Sequence, residues 1–293
     1  MTRPVLRRGP LLMVLTTLAF TAMIGLVKVA RAELSAAEVV FWRGFVGIPI
    51  AALGLRGLRL APANRPVLAL RIGLGFCAMI CFFTAAKGLP LADHALYSKL
   101  HPLLVGILAP LALGAGERPG SRTWGALVFG LVGCGVLLGP EVQGGGLWGL
   151  WALAAAAFSA GAHVCLRRLG ETDHPAVVVL CFQLAIAPLS LLLVLVQDGG
   201  LPGLPPVELW PVLAGVAVFA VLGQTMMTRA YQLDRAAVVA GAAYTSPLWA
   251  GLADAVFFET LPSWTTLVGG MLIVGSGLAV ILQEDPEPAS PVR

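Results

Sequence analysis

Several charged or hydrogen-bonding residues stand inside long apolar stretches of this sequence. Lys99 lies about ten residues from either end of one such stretch, with Tyr97 and His101 close beside it. Arg43 lies inside another stretch. An ionisable side chain held near the centre of a bilayer costs several kcal/mol and by default marks a functional site. The sequence therefore predicts that these four residues line a central polar cavity.

Other polar and aromatic residues stand at comparable depth in other apolar stretches. We expect the same cavity to include Gln183, Tyr244, Ser246, Trp42 and Trp249. Neither Lys99 nor Arg43 has an Asp or Glu at its own depth, so the cavity should favour a carboxylate or another anionic group. His101 could titrate near neutral pH, which makes the proton a candidate coupling ion.

Each of these assignments has a structural alternative. Arg43 could bind helix-end carbonyls as a packing or gating residue, and His101 could serve only as a hydrogen-bonding side chain. Trp249 could belong to the aromatic belt at the membrane interface. Pro102 and Pro247 interrupt predicted helices in mid-span, where they would act as hinges or as static kinks.

Other ionisable residues lie nearer the ends of the apolar stretches. Long basic side chains there can reach the interface, and this is expected of Lys28, Arg71 and Arg229. Glu117 and Glu259 follow the helices that contain the two prolines. We expect these glutamates to make capping or helix-end contacts.

Composition identifies the elements that must hold these residues. Of the 293 residues, 58% are hydrophobic and only 12% are charged, whereas soluble domains carry about 25% charged residues. The net charge of +4 comes from short basic clusters between apolar runs, a pattern that does not indicate nucleic-acid binding. The sequence contains no metalloprotease, hydrolase-elbow or nucleotide-binding motif. It therefore predicts a polytopic membrane protein that is not an enzyme and that carries no metal or cofactor.

A membrane-spanning helix needs about 20 apolar residues, and the chain divides into ten such segments. The predicted spans are 11–30, 36–56, 67–88, 91–114, 122–140, 147–167, 175–196, 208–230, 236–258 and 264–283. Alternate loops carry most of the basic residues, including Arg3, Arg7, Arg8, Arg56, Arg59, Arg65, Arg118, Arg122, Arg167, Arg168 and Arg235. Because such loops stay in the cytoplasm, both termini are predicted to be cytoplasmic.

The two halves of the chain repeat one pattern. Pro102, then Glu117, then a Gly-x-Gly at 133–135 is matched by Pro247, Glu259 and a Gly-x-Gly at 275–277. An odd number of spans in each half makes the halves enter the membrane from opposite sides, as in many secondary transporters. We predict two inverted five-helix repeats, residues 1–143 and 144–283, followed by a disordered cytoplasmic tail at 284–293.

The motifs that carry this repeat also carry a resemblance to a known family. Phe41-Trp42-Arg43-Gly44, Leu100-His101-Pro102-Leu103 with Gly116-Glu117-Arg118-Pro119, and Thr245-Ser246-Pro247-Leu248-Trp249 resemble the EamA-like branch of the drug/metabolite transporter superfamily. The resemblance covers nearly the whole chain and extends to the YddG-type amino-acid exporters. It implies ten helices in the inner membrane of a bacterium and the movement of metabolites or drugs.

The expected function is a secondary transporter that works by alternating access, most simply an exporter of amino acids or related small polar compounds. An uptake carrier of the riboflavin or S-adenosylmethionine type is the alternative within the family. A membrane-embedded enzyme and a channel or scaffold are alternatives from other classes. Expected partners are a small-molecule substrate, the lipid bilayer and protons, with the chain acting as a monomer or homodimer.

Overall fold

The computed structural model describes residues 7–55, 57, 61–86, 88–89, 91–138, 146–197, 199–257 and 264–282. The predicted features at Arg3, Arg56, Arg59, Glu259 and residues 284–293 lie outside these ranges. Within them the chain forms helices and no strand. The helices are α1 (Arg8–Ala30), α2 (Ala36–Leu53), α3 (Arg65–Ala85), α4 (Leu91–Ser98), α5 (His101–Leu113), α6 (Ser121–Leu138), α7 (Gly146–Leu169), α8 (Pro175–Gln197), α9 (Trp210–Leu233), α10 (Ala236–Ala242), α11 (Ser246–Phe257) and α12 (Trp264–Ile281).

Most of these helices are long and apolar. In the described ranges, eight helical segments are long and apolar enough to cross a membrane. Two shorter apolar segments, Ala236–Leu252 and Leu267–Val280, stand where the ninth and tenth spans are predicted. The predicted all-α membrane class is confirmed, and the count of ten spans stays a prediction.

The fourth predicted span is interrupted between α4 and α5, at Lys99 and Leu100. Pro102 has no N–H to donate to the carbonyl oxygen of Ser98, and its ring would clash with that carbonyl in a continuous helix. His101 takes over this carbonyl, with its Nδ1 atom 3.3 Å from the Ser98 oxygen. The break therefore fixes the orientation of the His101 ring.

The ninth predicted span is interrupted in the same way. A single 3-10 turn at Ala243–Thr245 separates α10 from α11, and Pro247 is the second residue of α11 as Pro102 is of α5. The Ser246 hydroxyl donates to the Ala243 carbonyl at 3.1 Å. In both breaks, the side chain of the residue before the proline bonds the carbonyl oxygen four residues before that proline. The proline itself cannot bond this oxygen because it has no N–H.

Four helix pairs make the most extensive contacts in the bundle: α1 with α9, α3 with α7, α2 with α8, and α6 with α12. The set of pairs stays the same when each helix is exchanged for its counterpart in the other half of the chain. The exchanges are α1 with α7, α2 with α8, α3 with α9 and α6 with α12. Close approach between α6 and α12 depends on Gly133 and Gly269. A Cβ added to Gly269 would lie 2.7 Å from the Gly133 carbonyl oxygen, so the two helices can approach this closely only with small residues at the contact.

One end of the bundle is tied together by Glu117, which follows α5. Its carboxylate accepts from Arg167 Nε at 2.8 Å, at the end of α7, and from the Ala236 N–H at 2.9 Å, at the start of α10. Arg167 also donates to the Gln232 carbonyl at 3.0 Å. We call this the basic end of the bundle because it also carries Arg8, Arg65, Arg118, Arg122, Arg168 and Arg235.

Two more carboxylates at the basic end bind the N-termini of distant helices. Asp173, in the loop between α7 and α8, accepts from the N–H groups of Ala63 at 2.7 Å and Asn64 at 3.1 Å. Asp234, after α9, accepts from the Gly9 N–H at 2.8 Å. A carboxylate at a helix N-terminus is stabilised by the helix dipole and by otherwise unpaired N–H groups. These contacts hold the starts of α1 and α3 against the basic end.

Arg71 corrects one expectation about the basic side chains. It was expected to reach the membrane interface, but it is only 4% exposed. Its guanidinium carbon lies 3.9 Å from the centre of the Phe182 ring, a cation–π contact that a buried arginine can make in place of water. Arg71 therefore faces the protein interior.

Candidate functional site

A partly open cavity of about 370 Å³ lies among α2, α3, the α4–α5 break and α7. Most of its lining residues lie in the half of α2, of α3, of α7 or of the interrupted α4–α5 span that is remote from the basic end. The lining residues are Val40, Arg43, Ala78, Met79, Phe82, Phe83, His94, Ser98, Lys99, His101, Ala152, Ala155, Ala156 and Ser159.

The wall of this cavity combines cationic and apolar surface. Arg43 and Lys99 bring positive charge, and no carboxylate is among the lining residues. Met79, Phe82 and Phe83 supply a broad apolar face. Such a wall suits a small ligand that has an anionic group at one end and carbon at the other.

Lys99 lies in the break between α4 and α5 and connects the two interrupted spans. Its Nζ donates to the Ser246 hydroxyl at the start of α11. No carboxylate pairs with Lys99 in the part of the chain that the structure describes. An ammonium group has three N–H donors, so Lys99 keeps donors for water or a ligand.

His101 and Arg43 each leave a polar atom unsatisfied. A carbonyl oxygen only accepts, so the contact with Ser98 requires a proton on His101 Nδ1. In the neutral ring Nε2 is then a bare acceptor, and it is buried with no partner among the described residues. Arg43 Nε is likewise buried and unpartnered in the described ranges. Both residues therefore bring to the cavity wall a buried polar atom for which the described residues supply no partner.

The other predicted site residues do not line the cavity. Tyr97 packs on Ala85, Leu89 and Ala152, the last of which lines the cavity. Trp42 is buried against Leu209 and Trp210.

Trp249 and Tyr244 make two separate contacts at the α10–α11 break. Trp249 Nε1 donates to Thr17 Oγ1 at 3.0 Å, and Thr17 also bonds Thr245 at 2.9 Å. Tyr244 is buried against Leu127 and Ile273, and its hydroxyl has no described partner. Gln183 is 1% exposed on α8 beside Gly47, with neither amide atom paired in the described ranges.

Sequence reasoning left several lining residues unassigned. His94 was given no role, and its Nε2 donates to the Phe82 carbonyl at 3.0 Å. Met79, Phe82 and Phe83 resemble any lipid-facing apolar residue in a sequence. His163, which contacts His101 from α7, carried a usable signal because it is an ionisable residue inside an apolar span.

No group of three or more metal-ligating side chains occurs among the residues that the structure describes. What the described residues bring together is a cavity on one side of the bundle and a set of ion pairs and capping contacts at the basic end.

Comparison with known proteins agrees with this arrangement. The model of the EamA-like transporter family matches residues 7–139 and 146–282. The chain is 31% identical over 278 residues to the pseudopaline exporter CntI of Pseudomonas aeruginosa strain UCBPP-PA14, covering 94% of this chain and 96% of the exporter. It is 26% identical to human solute carrier family 35 member G1, over 86% of this chain and 72% of that protein.

A solved crystal structure shares the fold, with a TM-score of 0.81 at 23% identity, over 94% of this chain and 98% of the other. The similar proteins with named functions are transporters rather than enzymes, which confirms the expectation that this chain is not an enzyme. The family model covers nearly the whole of both halves of the sequence, and the chain therefore belongs to the EamA-like transporter family.

Proposed function

We propose that this chain is a secondary transporter that exports a small carboxylate-bearing metabolite across the bacterial inner membrane by alternating access. Amino acids and related zwitterions are the best candidates. The observation that carries the proposal is the combination of a partly open cationic cavity in the half of the bundle remote from the basic end with a basic end closed by Glu117.

The cationic wall supports an anionic group on the substrate. Lys99 and Arg43 lie where a carboxylate could bind them, with the remainder of the substrate against Phe82 and Phe83. A hydrogen bond to a charged group contributes roughly 1.5–3 kcal/mol. Two such contacts would be enough to select carboxylates over neutral analogues of the same shape.

The positive charge at the basic end supports a cytoplasmic location for it, because basic residues in short loops stay in the cytoplasm. The cavity then belongs to the outer half of the membrane, and the ties made by Glu117, Asp173 and Asp234 close the inner side. In this orientation the arrangement is an outward-facing state, in which an exporter releases its substrate and an importer binds it. The pseudopaline exporter among the relatives favours export.

The packing of the helices supports an inverted repeat. A two-fold axis in the membrane plane that relates 1–143 to 144–283 would exchange α1 with α7 and α3 with α9, and it would generate the observed set of close pairs. It would also bring the break at Pro102 onto the break at Pro247. Both breaks would then lie in mid-membrane, where we expect them to serve as the hinges of alternating access.

The proposed orientation predicts the behaviour of reporter fusions. A phosphatase reporter, active only outside the cytoplasm, should be inactive when fused after Arg65 or at the C-terminus and active after Gln143. A reporter that is active only in the cytoplasm should give the opposite pattern and serves as the control. An active phosphatase at the C-terminus would contradict both the even number of spans and the inverted repeat.

The transport function is tested by flux in proteoliposomes. Purified protein should exchange labelled amino acids from a mixed metabolite pool, and the exchange should respond to an imposed pH gradient. Protein-free liposomes and liposomes that contain an unrelated membrane protein are the controls. Accumulation of riboflavin or S-adenosylmethionine in place of amino acids would replace export with the uptake alternative.

A further inference from the structure

Arg71 lies on α3 between the cavity and the basic end of the bundle, seven residues before the lining residue Ala78. Its side chain extends toward the cavity, because a Cβ added to Gly75, one turn further along α3, would lie 3.1 Å from Arg71 Nη1. Gly75 precedes Ala78 by about 4.5 Å along the helix axis. The guanidinium group therefore lies about one helical turn deeper in the bundle than the cavity wall.

The aromatic partner of Arg71 belongs to the same region as the cavity. The Phe182 ring packs in one apolar cluster with Val40, Met79 and Phe83, and these three residues line the cavity. The centre of the Phe182 ring lies 3.9 Å from the guanidinium carbon of Arg71. Phe182 thus connects the apolar face of the cavity to Arg71.

Arg71 has a cationic neighbour and no anionic partner. Arg43, which lines the cavity, repels it, and the neutral groups near it include His163 and Cys165 of α7. No carboxylate pairs with Arg71 or Arg43 in the described ranges, and the Nε atom of each is buried there without a partner.

The cation–π contact compensates for only part of the burial of Arg71. The Phe182 ring covers one face of the guanidinium group and does not satisfy its five N–H donors, which lie in the plane of the group. A cation removed from water needs an anion or hydrogen bonds in return. Two neighbouring arginines in this condition call for an anionic ligand that reaches both of them.

We propose that Arg71 is a second anion-binding residue of the transport site and that the substrate carries two carboxylate groups. This inference rests on the proposed function and narrows its substrate class from amino acids in general to acidic ones. One carboxylate binds Lys99 and Arg43 at the cavity wall, and the second reaches Arg71. A short carbon chain, as in aspartate or glutamate, fits the offset of about one helical turn between the wall and the guanidinium group.

Gly75 keeps the guanidinium group of Arg71 uncovered on the side of α3. A Cβ at this position would lie 3.4 Å from Phe182 Cε2 as well as 3.1 Å from Arg71 Nη1. A larger side chain would therefore displace the guanidinium group or separate it from the cavity. Gly75→Val is expected to weaken the binding of the second carboxylate and to leave the first carboxylate bound.

Ligand binding by the purified protein tests the proposal without a transport assay. The probes are glutamate and its side-chain amide glutamine, which share one carboxylate and the ammonium group and differ in the second carboxylate. A charge-assisted hydrogen bond raises affinity by about 10- to 150-fold. Isothermal titration calorimetry should therefore give at least tenfold tighter binding of glutamate, and aspartate should exceed asparagine in the same way.

A variant of Arg71 identifies the residue that makes the second contact. Arg71→Gln should weaken glutamate binding at least tenfold and change glutamine binding less than twofold, whereas a merely structural role would weaken both together. Arg229→Gln is the matched control, because Arg229 is an exposed arginine within α9, and it should keep the preference for glutamate. If Arg71→Gln does not fold, Gly75→Val should give the same selective loss.

Three results would overturn the proposal: equal binding of glutamate and glutamine, no binding of either acidic amino acid, or an equal loss of both ligands in the variant that folds. Equal binding of glutamate and glutamine would still leave the proposed transport of carboxylates standing. Tight binding of glutamate without any flux in proteoliposomes would contradict the transport function and support the second anion site. The two proposals therefore fail on different measurements.

Discussion

Replacing Lys99 with methionine is expected to abolish transport while the protein still inserts and folds. The ammonium group lies in the cavity wall with one described bond, to Ser246, and it is the group best placed to bind a substrate carboxylate. Losing a charge-assisted bond of roughly 1.5–3 kcal/mol lowers the affinity by about 10- to 150-fold. Lys99→Arg keeps the charge and should retain part of the activity.

The measurement is the initial rate of amino-acid exchange in proteoliposomes at substrate concentrations below saturation. Lys28→Met is the matched control, because Lys28 is an exposed lysine in the last turn of α1. Size-exclusion profiles and thermal unfolding verify the fold of each variant. Normal exchange by Lys99→Met would remove Lys99 from the binding site.

Replacing Glu117 with glutamine is expected to open the basic end. Glu117 is 7% exposed, and its carboxylate bonds both Arg167 and the Ala236 N–H. A neutral amide keeps at most one of these acceptor contacts and leaves the guanidinium of Arg167 without its counter-ion. A loss of about 1.5–3 kcal/mol in the closed state shifts the population toward the inward-facing state by about 10- to 150-fold.

This shift can be followed by thiol labelling. Ala237 is 1% exposed at the start of α10, so a cysteine placed there, in a background without the native cysteines, reports opening. Its labelling by a charged maleimide should accelerate at least tenfold in Glu117→Gln. Glu171→Gln removes an exposed ion pair with Arg168 and should change the rate less than twofold. Equal rates in both variants would show that Glu117 does not close this end.

The sequence indicates the cavity because charge inside an apolar span is costly. That principle singled out Arg43, Lys99 and His101, which the structure brings to one wall. Their roles in transport stay predictions. The breaks at Pro102 and Pro247 were also predictable, since a proline in mid-helix removes a hydrogen bond and clashes with the preceding turn.

The orientation of the other predicted residues could not be read from the sequence. A membrane helix is apolar toward lipid and toward its neighbours, so Gln183 and Tyr244 carry no amphipathic signal that shows which face they occupy. Arg71 was judged by its distance from the span end, and its partner Phe182 lies over 100 residues away. The ties of Glu117, Asp173 and Asp234 likewise join loops to helix starts far apart in the chain.

The most direct test of the central claim is competition between matched pairs of compounds in the exchange assay. Each pair consists of an amino acid and its amide, which differ in the carboxylate and little in shape. The wall formed by Lys99 and Arg43 predicts that the amino acid competes for exchange at least tenfold better than its amide, and that Lys99→Arg keeps this preference. Equal competition by the two members of each pair would contradict a site built for a carboxylate.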